Sequence, residues 1–234
     1  MSKELVLEIK NGGIGDHLFY SHIPRIAKET GAYEKVYLSN RSNLRNPDYR
    51  HFLWELNPHL DGFIDKGGRY PTFQAVREGS NILDEIMLEL GLDDGKRYHE
   101  PELYYQPKMI RALENSVLYD PNYLSSAGFV TAPTLINYLK DHQIQVNAQL
   151  IIRSGPSIPI LDFDYYLKTT SFENFIDILY SVKELYCLVT GTATLASALK
   201  RKATVFYTKD QMPMFRHSKI NNYVELQAPP LARI

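Results

Sequence analysis

The sequence predicts an α/β protein built from two similar halves, because the same order of local signals occurs twice. In the first half, an apolar run at 5–9 (LVLEI) precedes a glycine-rich turn, an amphipathic stretch and a second apolar run at 35–38. In the second half, a run at 185–189 precedes a glycine turn, a small-residue stretch and a run at 203–207. Strand, glycine turn, helix and strand in this order open a parallel sheet. We therefore expect two Rossmann-like halves.

The totals agree with a globular protein of this kind. The chain has 234 residues and a formal net charge of −1, so no overall basic field would draw it to nucleic acid or an anionic membrane. The first ten residues lack a signal-peptide core, and the longest uncharged stretch, 121–139, contains two prolines and a glycine. The single cysteine, Cys187, excludes an intrachain disulfide framework and a cysteine-cluster zinc site. We expect a cytoplasmic protein without a membrane helix.

The first half, residues 1–112, begins with a strand and a helix whose apolar residues recur on one face from 18 to 27 and which ends at Gly31. The later elements are less regular. They are predicted as a strand at 35–38, a loop at 39–50, a short helix at 51–56, a strand at 62–65, a helix or helix pair at 73–90 interrupted near Gly79, and a polar, turn-rich segment at 91–107.

The second half, residues 113–234, repeats the alternation of strands and helices. Ser171 is a plausible N-cap for a helix whose apolar residues, from 172 to 182, lie on one face. The other predicted elements are strands at 116–119, 149–153, 185–189 and 203–207 and helices at 134–141 and 193–199. After residue 208 we expect a polar tail without a clear helix.

The first glycine turn, 11–16 (NGGIGD), is a candidate ligand site. Gly13 and Gly15 permit positive φ and close approach of a ligand to the backbone, and the following helix start offers amide groups. The third glycine of a dinucleotide fingerprint is missing. Asp16, in the first helical turn at the carboxyl edge of a sheet, points to a general base for a hydroxyl group. A simple role in capping the helix stays open, and residue type alone favours it.

The second glycine turn, 189–194 (VTGTAT), has the same placement in the second half. The hydroxyl groups of Thr192 and Thr194, with the amides that follow Gly191, would suit a diphosphate. An N-cap with tight helix–sheet packing explains the same residues equally well. Arg153 and Lys168 follow second-half strands and are placed to meet a donor phosphate.

Three stretches in order, 12–29, 56–65 and 169–208, resemble the heptosyltransferase-like glycosyltransferases, the family that includes the lipopolysaccharide core heptosyltransferases. The resemblance implies a GT-B fold, in which two Rossmann-like halves face a cleft. It implies a nucleotide-diphospho-sugar as donor substrate, with no cofactor and no metal, and a glycan acceptor that is reached from the cytoplasmic side, with possible peripheral contact to a membrane-bound acceptor. It also implies that Asp16 is the base that deprotonates the acceptor hydroxyl, and that Gly191, Thr192 and the following amides hold the donor diphosphate.

Departures from the family pattern keep a second interpretation open. Val189 stands where the family usually has aspartate, Thr194 stands where it has histidine, and the closing C-terminal helices are not evident. A catalytically inactive module that binds a nucleotide or a glycan is therefore the alternative to an inverting, metal-independent glycosyltransferase. The opening also resembles α-1,2 fucosyltransferases, but their histidine- and arginine-rich donor motif has no counterpart here.

Several other residues carry groups that could bind a metal, an acceptor or an anion. Asp162 and Asp164 could hold Mn²⁺ or Mg²⁺, although a solvated loop is the commoner origin of such a pair. Packing or surface roles are also commoner for His17, His22, Tyr104 and Tyr105 than contact with an acceptor. Arg41, Arg45 and Arg50 could meet an anionic acceptor or form a plain basic loop. No GxSxG elbow and no GxxxxGK[ST] loop occurs, and Cys187 lies in a predicted strand, which disfavours covalent hydrolase and phosphoryl-transfer chemistry.

Overall fold

The computed structural model describes residues 3–71, 76–123, 128–151 and 156–227. The chain forms two compact units. The first contains Met1–Gln106 and a short later segment, His217–Lys219, and the second contains Pro107–Arg216 and Ile220–Ile234. Within the described ranges, no helix is long and apolar enough to cross a membrane.

The first unit has a small parallel sheet with helices between its strands. Its elements are β1 (Glu4–Leu7), α1 (Ile14–Leu18), α2 (Ile23–Glu29), β2 (Lys35–Ser39), a π-helical turn (Arg50–Glu55), β3 (Gly62–Ile64) and α3 (Ile82–Glu89). The strand order is β1-β2-β3, and Arg69 pairs with the other edge of β1 through the Glu8 amide (3.0 Å) and the Val6 carbonyl (2.7 Å).

The single helix expected across residues 18–27 is two helices, α1 and α2. Pro24 lies in the first turn of α2, where a missing amide costs nothing. A helix running through this position would bring the proline ring against the carbonyl of Tyr20, four residues earlier, so the chain must break before it. Of the helix or helix pair expected at 73–90, residues 73–75 lie outside the described residues. The interruption near Gly79 is present, with φ of +76° at that glycine, and the helix that follows begins at Ile82, where Asn81 caps it by accepting the Asp84 amide at 3.0 Å.

The second unit contains a six-stranded, all-parallel sheet. Numbered from its own first strand, the order is 3-2-1-4-5-6, which is the order of doubly wound dinucleotide-binding sheets. The elements are β4 (Val117–Asp120), α4 (Ala132–Asp141), β5 (Ala148–Leu150), β6 (Tyr165–Leu167), α5 (Phe172–Ser181), β7 (Glu184–Leu188), α6 (Gly191–Ala198), β8 (Ala203–Tyr207) and β9 (Asn222–Glu225). The direction of winding reverses between β4 and β7.

The sequence did not predict β6 or β9, the two edge strands of this sheet. Tyr165 and Tyr166 of β6 are exposed, and β9 carries polar residues at both ends, so neither segment shows the apolar run of a central strand. Their pairing with β5 and β8 supplies the backbone hydrogen bonds that define them. A tertiary neighbour, rather than local composition, makes these segments strands.

An irregular segment, residues 156–164, precedes β6 and packs on the core of this unit. Two polar side chains of central strands satisfy its backbone: the Tyr119 hydroxyl donates to the Ile158 carbonyl (2.8 Å), and the Gln149 side chain accepts the Ile160 amide (2.9 Å). Ile158 and Ile160 then pack into the same buried cluster as α4. These two polar groups allow nonhelical chain to cover the core without leaving its backbone unpaired.

Candidate functional site

The first candidate site lies at the carboxyl end of β1. Because β1 lies between β2 and Arg69, its winding direction reverses here, and open α/β sheets bind ligands at such points. The turn after β1 is closely packed. A Cβ on Gly12 would lie 2.7 Å from the Asn43 side-chain oxygen, and one on Gly13 would lie 2.7 Å from Oδ2 of Asp16. The glycines let the turn fold against its neighbours. Neither Gly13 nor Gly15 has the positive φ that the sequence suggested, since Gly13 is extended and Gly15 lies in α1.

Asp16 lies half-buried in the first turn of α1. Its Oδ2 accepts the Gly13 amide at 3.0 Å, so the capping interaction considered from the sequence is present. Burial raises the pKa of the Asp16 carboxyl, and the Gly13 amide and the Arg45 guanidinium lower it by smaller amounts, which leaves the pKa above its usual range. The carboxylate is therefore a better proton acceptor than an exposed aspartate, while its orientation is fixed.

The two histidines near Asp16 are packing residues. Trp54 donates its indole N–H to His17 Nδ1 at 3.0 Å, so His17 Nε2 carries the proton and donates to the Asn43 carbonyl at 2.9 Å. Burial lowers the pKa of His17 to about 4 and that of His22 to about 3, and both rings are fully buried. Of the packing, surface and acceptor-contact roles that the sequence left open for these histidines, the structure shows packing for both.

Tyr70 and Asn11 complete this site, and sequence reasoning did not assign them. Asn11 donates its side-chain amide to the Tyr70 hydroxyl at 2.9 Å, and the Tyr70 ring stacks on Tyr20 with 6.2 Å between centroids. Lys10 places its ammonium group 5.5 Å from the centre of the Tyr70 ring. Asn11 was visible as part of the glycine turn, but only the pairing of Arg69 with β1 brings Tyr70 there.

The second candidate site lies where β4 and β7 end, at the reversal point of the larger sheet. Thr190 caps α6 by accepting the Thr192 amide at 3.3 Å, and its carbonyl accepts the amides of Ala193 and Thr194. The N-cap explanation of this turn is therefore correct for these amides. The Gly191 amide has no acceptor within the described part of the chain, which leaves it as the amide that could meet a ligand.

Asp120, at the end of β4, is the residue of this site that sequence reasoning missed. It is 1% exposed and accepts the Thr192 hydroxyl at 2.6 Å. Its second oxygen accepts the amide (3.0 Å) and side-chain amide (2.7 Å) of Asn122. Asp-Pro-Asn was recognised only as a turn signal. The strand register, which pairs Asp120 with Cys187, is what places this carboxylate beside α6.

The remaining predicted donor-site residues are not grouped together. Thr194 is 3% exposed, inside the first turns of α6. Lys168 is exposed just beyond β6, three strand positions from β7, or roughly 14 Å at the usual strand spacing. Arg153 lies outside the described residues. Val189, in the place of the family's aspartate, is buried.

The other weighed residues are mostly engaged elsewhere. Arg50 binds Glu55 and Asn40 and lies 3.7 Å from the Phe63 ring centre. Tyr104 donates to Glu102 and Tyr105 packs on Phe52, while Cys187 is buried. Arg41, Arg45, Asp162 and Asp164 are exposed, and no group of three or more His, Cys, Asp or Glu side chains is placed to hold a metal in the ranges that the structure covers.

No protein-family model and no curated protein matches the sequence, whereas several solved structures match the fold. TibC of enterotoxigenic E. coli, described as a dodecameric iron-containing heptosyltransferase and solved with ADP-D-β-D-heptose, superposes with a TM-score of 0.62 at 13% identity, over 94% of this chain and 62% of TibC. A family 9 glycosyltransferase of Veillonella parvula gives 0.61 at 10% identity, over 96% of this chain and 86% of that protein. The E. coli heptosyltransferase WaaC, solved with ADP, gives 0.55 at 13% identity, over 97% of this chain and 93% of WaaC.

These likenesses concern the fold, since the identities are low. This chain spans less than two thirds of the length of TibC. Both of its sheets are parallel and alternate with helices, as the sequence predicted. The resemblance inferred from the sequence is confirmed at that level: the chain has a heptosyltransferase-like fold.

Proposed function

We propose that this protein transfers a sugar from a nucleotide-diphospho-sugar to a hydroxyl group of a glycan acceptor. The observation that carries the proposal is Asp16, a half-buried carboxylate with a raised pKa at the reversal point of a heptosyltransferase-like fold. A general base works best when its pKa approaches the working pH, and burial moves Asp16 in that direction. The half-buried position also leaves the carboxylate accessible to a ligand.

In the proposed reaction the acceptor oxygen attacks the anomeric carbon while its proton passes to Asp16. The bond between the anomeric carbon and the phosphate oxygen breaks, and its electron pair leaves with the nucleoside diphosphate. Attack from the face opposite the leaving group inverts the anomeric centre. The proposal needs no metal and includes the expectation that the two halves face a shared cleft, with the acceptor on the first half and the donor on the second.

For the donor, we propose that the Gly191 amide meets the diphosphate at the start of α6. Thr192 donates its only hydroxyl proton to Asp120, so its oxygen can only accept further hydrogen bonds. We therefore propose that it meets a sugar hydroxyl, which can donate, rather than a phosphate. Gly13 and Gly15 allow the acceptor to approach the first turn. Lys168, Arg153 and Thr194 remain proposed donor contacts, and a cytoplasmic location and a membrane-bound acceptor remain expectations.

A panel of nucleotide-diphospho-sugars, including ADP-heptose, tests the proposal. Thermal shift reports binding, and nucleotide release, with water as the acceptor, reports cleavage. We expect one donor to bind and to be cleaved, and Asp16→Asn to bind it normally while releasing nucleotide about 10² to 10⁴ times more slowly. Asp162→Asn, an exposed carboxylate outside the site, is the matched control. Release by Asp16→Asn at the native rate would exclude Asp16 as the base.

A binding module without catalysis is the second candidate, and Asp120 favours it. Its carboxylate lies beside the α6 start, where a diphosphate would otherwise find only partial positive charge. A nucleotide or a glycan bound there without bond cleavage would give a thermal shift and no nucleotide release. Binding that is unchanged in Asp16→Asn, with no release by the native protein, would favour this candidate.

A further inference from the structure

Tyr70 presents a free hydroxyl proton at the end of β1. The Asn11 side-chain amide donates to the Tyr70 oxygen at 2.9 Å. The hydroxyl proton is therefore left for another acceptor, and no group in the described part of the chain accepts it at hydrogen-bond distance. The ring is half-buried and is supported from behind by Tyr20, whose plane is tilted by 18° from it. The ring is thus held rigidly with its hydroxyl in a fixed position, and the Lys10 side chain, whose ammonium group lies 5.5 Å from the ring centre, has to move aside where a ligand packs on the ring.

The Asp16 carboxylate lies in the same turn as Asn11: its Oδ2 accepts the amide of Gly13, two residues after Asn11, at 3.0 Å. Burial raises the pKa of Tyr70, and the negative charge of Asp16 raises it further, so the two side chains share one environment. For Tyr20, burial, Tyr70 and Asp16 all raise the pKa, which keeps its hydroxyl neutral. Asp16 is thus a hydrogen-bond acceptor close to an aromatic face, with Asn11 and the Tyr70 hydroxyl at its edge.

This combination matches the chemistry of a sugar. The C–H face of a pyranose packs on an aromatic ring, and its hydroxyls donate to carboxylates and accept from amides and phenols. The Arg45 guanidinium and the Lys10 ammonium, 5.5 Å from the centre of the Tyr70 ring, offset the negative charge of Asp16. The hydroxyl, amide and carboxylate groups, rather than a dominant charge, therefore define the ligand, and an uncharged polyhydroxyl compound matches them.

We propose that Tyr70, held in place by Asn11, is a sugar-binding residue of the first unit, and that it hydrogen-bonds the acceptor sugar beside Asp16. That the bound sugar is the acceptor in a transfer reaction rests on the proposed function. That the site binds a sugar does not. Tyr70 and Asn11 thus indicate a ligand class for this site, a neutral pyranose, which the likeness of fold alone does not indicate.

Saturation-transfer NMR with the methyl α-glycosides of glucose, galactose and mannose tests the proposal without any donor. We expect the native protein to bind at least one glycoside. Tyr70→Phe keeps the ring and loses the hydroxyl, so its affinity should fall about fivefold. Tyr70→Ala loses both and should bind more than about twentyfold more weakly. Asn11→Ala should weaken binding less than Tyr70→Phe, because the hydroxyl remains but is no longer held.

Two controls separate a binding defect from a folding defect. Tyr166→Ala removes an exposed tyrosine of the second unit and should leave glycoside binding unchanged. Tyr70→Phe should keep the native melting temperature within the error of the measurement. Native affinity in both Tyr70 variants, or no binding of any of the three glycosides by the native protein, would overturn the proposal. Glycoside binding without nucleotide release would leave it standing and would count against the proposed function alone.

Discussion

Thr192 donates its hydroxyl proton to the Asp120 carboxylate over 2.6 Å, and this hydrogen bond joins the end of β4 to the first turn of α6. Asn122 binds the other carboxylate oxygen through two N–H groups. One buried carboxylate therefore holds both chain segments that leave the reversal point of the larger sheet. The position of the proposed donor site depends on it.

Replacing Asp120 should destabilise the protein strongly. Asp120→Ala removes the acceptor of the buried Thr192 hydroxyl and one acceptor of the Asn122 backbone and side-chain amides, and we expect the free energy of unfolding to fall by about 2–4 kcal/mol. Thr192→Val removes one charge-assisted hydrogen bond and should cost about 1.5–3 kcal/mol. Urea denaturation measures both. The exposed Asp162→Asn should change stability by less than about 0.5 kcal/mol, and a similarly small loss in Asp120→Ala would show that the carboxylate is not needed.

Asp16 should lower stability at high pH. Because its pKa is raised in the folded state, the folded protein holds this proton more tightly than the unfolded chain does. Stability from this group is present below the ordinary pKa of 3.8 and is lost as pH rises through the raised value. Asp16→Asn removes the buried charge. The free energy of unfolding of Asp16→Asn minus that of the native protein should therefore increase from pH 4 to pH 8. A difference that is constant or falls over this range would contradict the assigned environment of Asp16.

Buried histidines should make the protein sensitive to acid. Burial lowers the pKa of His17 to about 4, and of His22 and His217 to about 3, from an ordinary value of 6.5. Below pH 6.5 the unfolded chain binds protons that the folded protein does not. The free energy of unfolding therefore decreases as the pH is lowered, by at most about 1.4 kcal/mol per pH unit for each histidine. Urea denaturation at pH 5 and pH 7 measures the slope. His17→Gln should reduce it, and the exposed His142→Gln should leave it unchanged.

Gly128 should tolerate no side chain. Its φ is +73°, and an added Cβ would collide with the Thr208 hydroxyl and lie 3.1 Å from Asp210 Oδ1. Thr208 and the Asp210 carboxylate also bind the Phe129 amide, so they have little freedom to move. Gly128→Ala should cost about 2–4 kcal/mol. Gly95 also has positive φ, +77°, but open space around it, so Gly95→Ala should cost only about 1 kcal/mol.

The strongest local patterns gave the correct elements. The runs that became β1, β2, β7 and β8 are apolar and central, and a buried parallel strand requires that composition wherever it lies in the sheet. Edge strands carry no such requirement on both faces, which is why β6 and β9 left no signal. Pro24 was present in the sequence as a helix-breaking signal, and the structure shows its effect between α1 and α2.

The residues of the two candidate sites also fall into those that local sequence indicates and those that it does not. Asp16, Gly191 and Thr192 could be found from the sequence, because each lies within a few residues of its own glycine turn. Asp120 and Tyr70 could not, because each reaches its site through a strand neighbour distant in sequence. Thr192 and Asp120 are 72 positions apart, and Asn11 and Tyr70 are 59 apart.

The sequence by itself determined that this protein alternates strands and helices around two glycine turns, because apolar periodicity and glycine placement are properties of short segments. Only the tertiary structure decided which polar side chains meet at the ends of β1 and β4. Parallel strands are joined by crossover connections, and the length of a connection does not show which strands become neighbours. The side chains that meet at each reversal point are therefore decided by the strand order of the folded sheet.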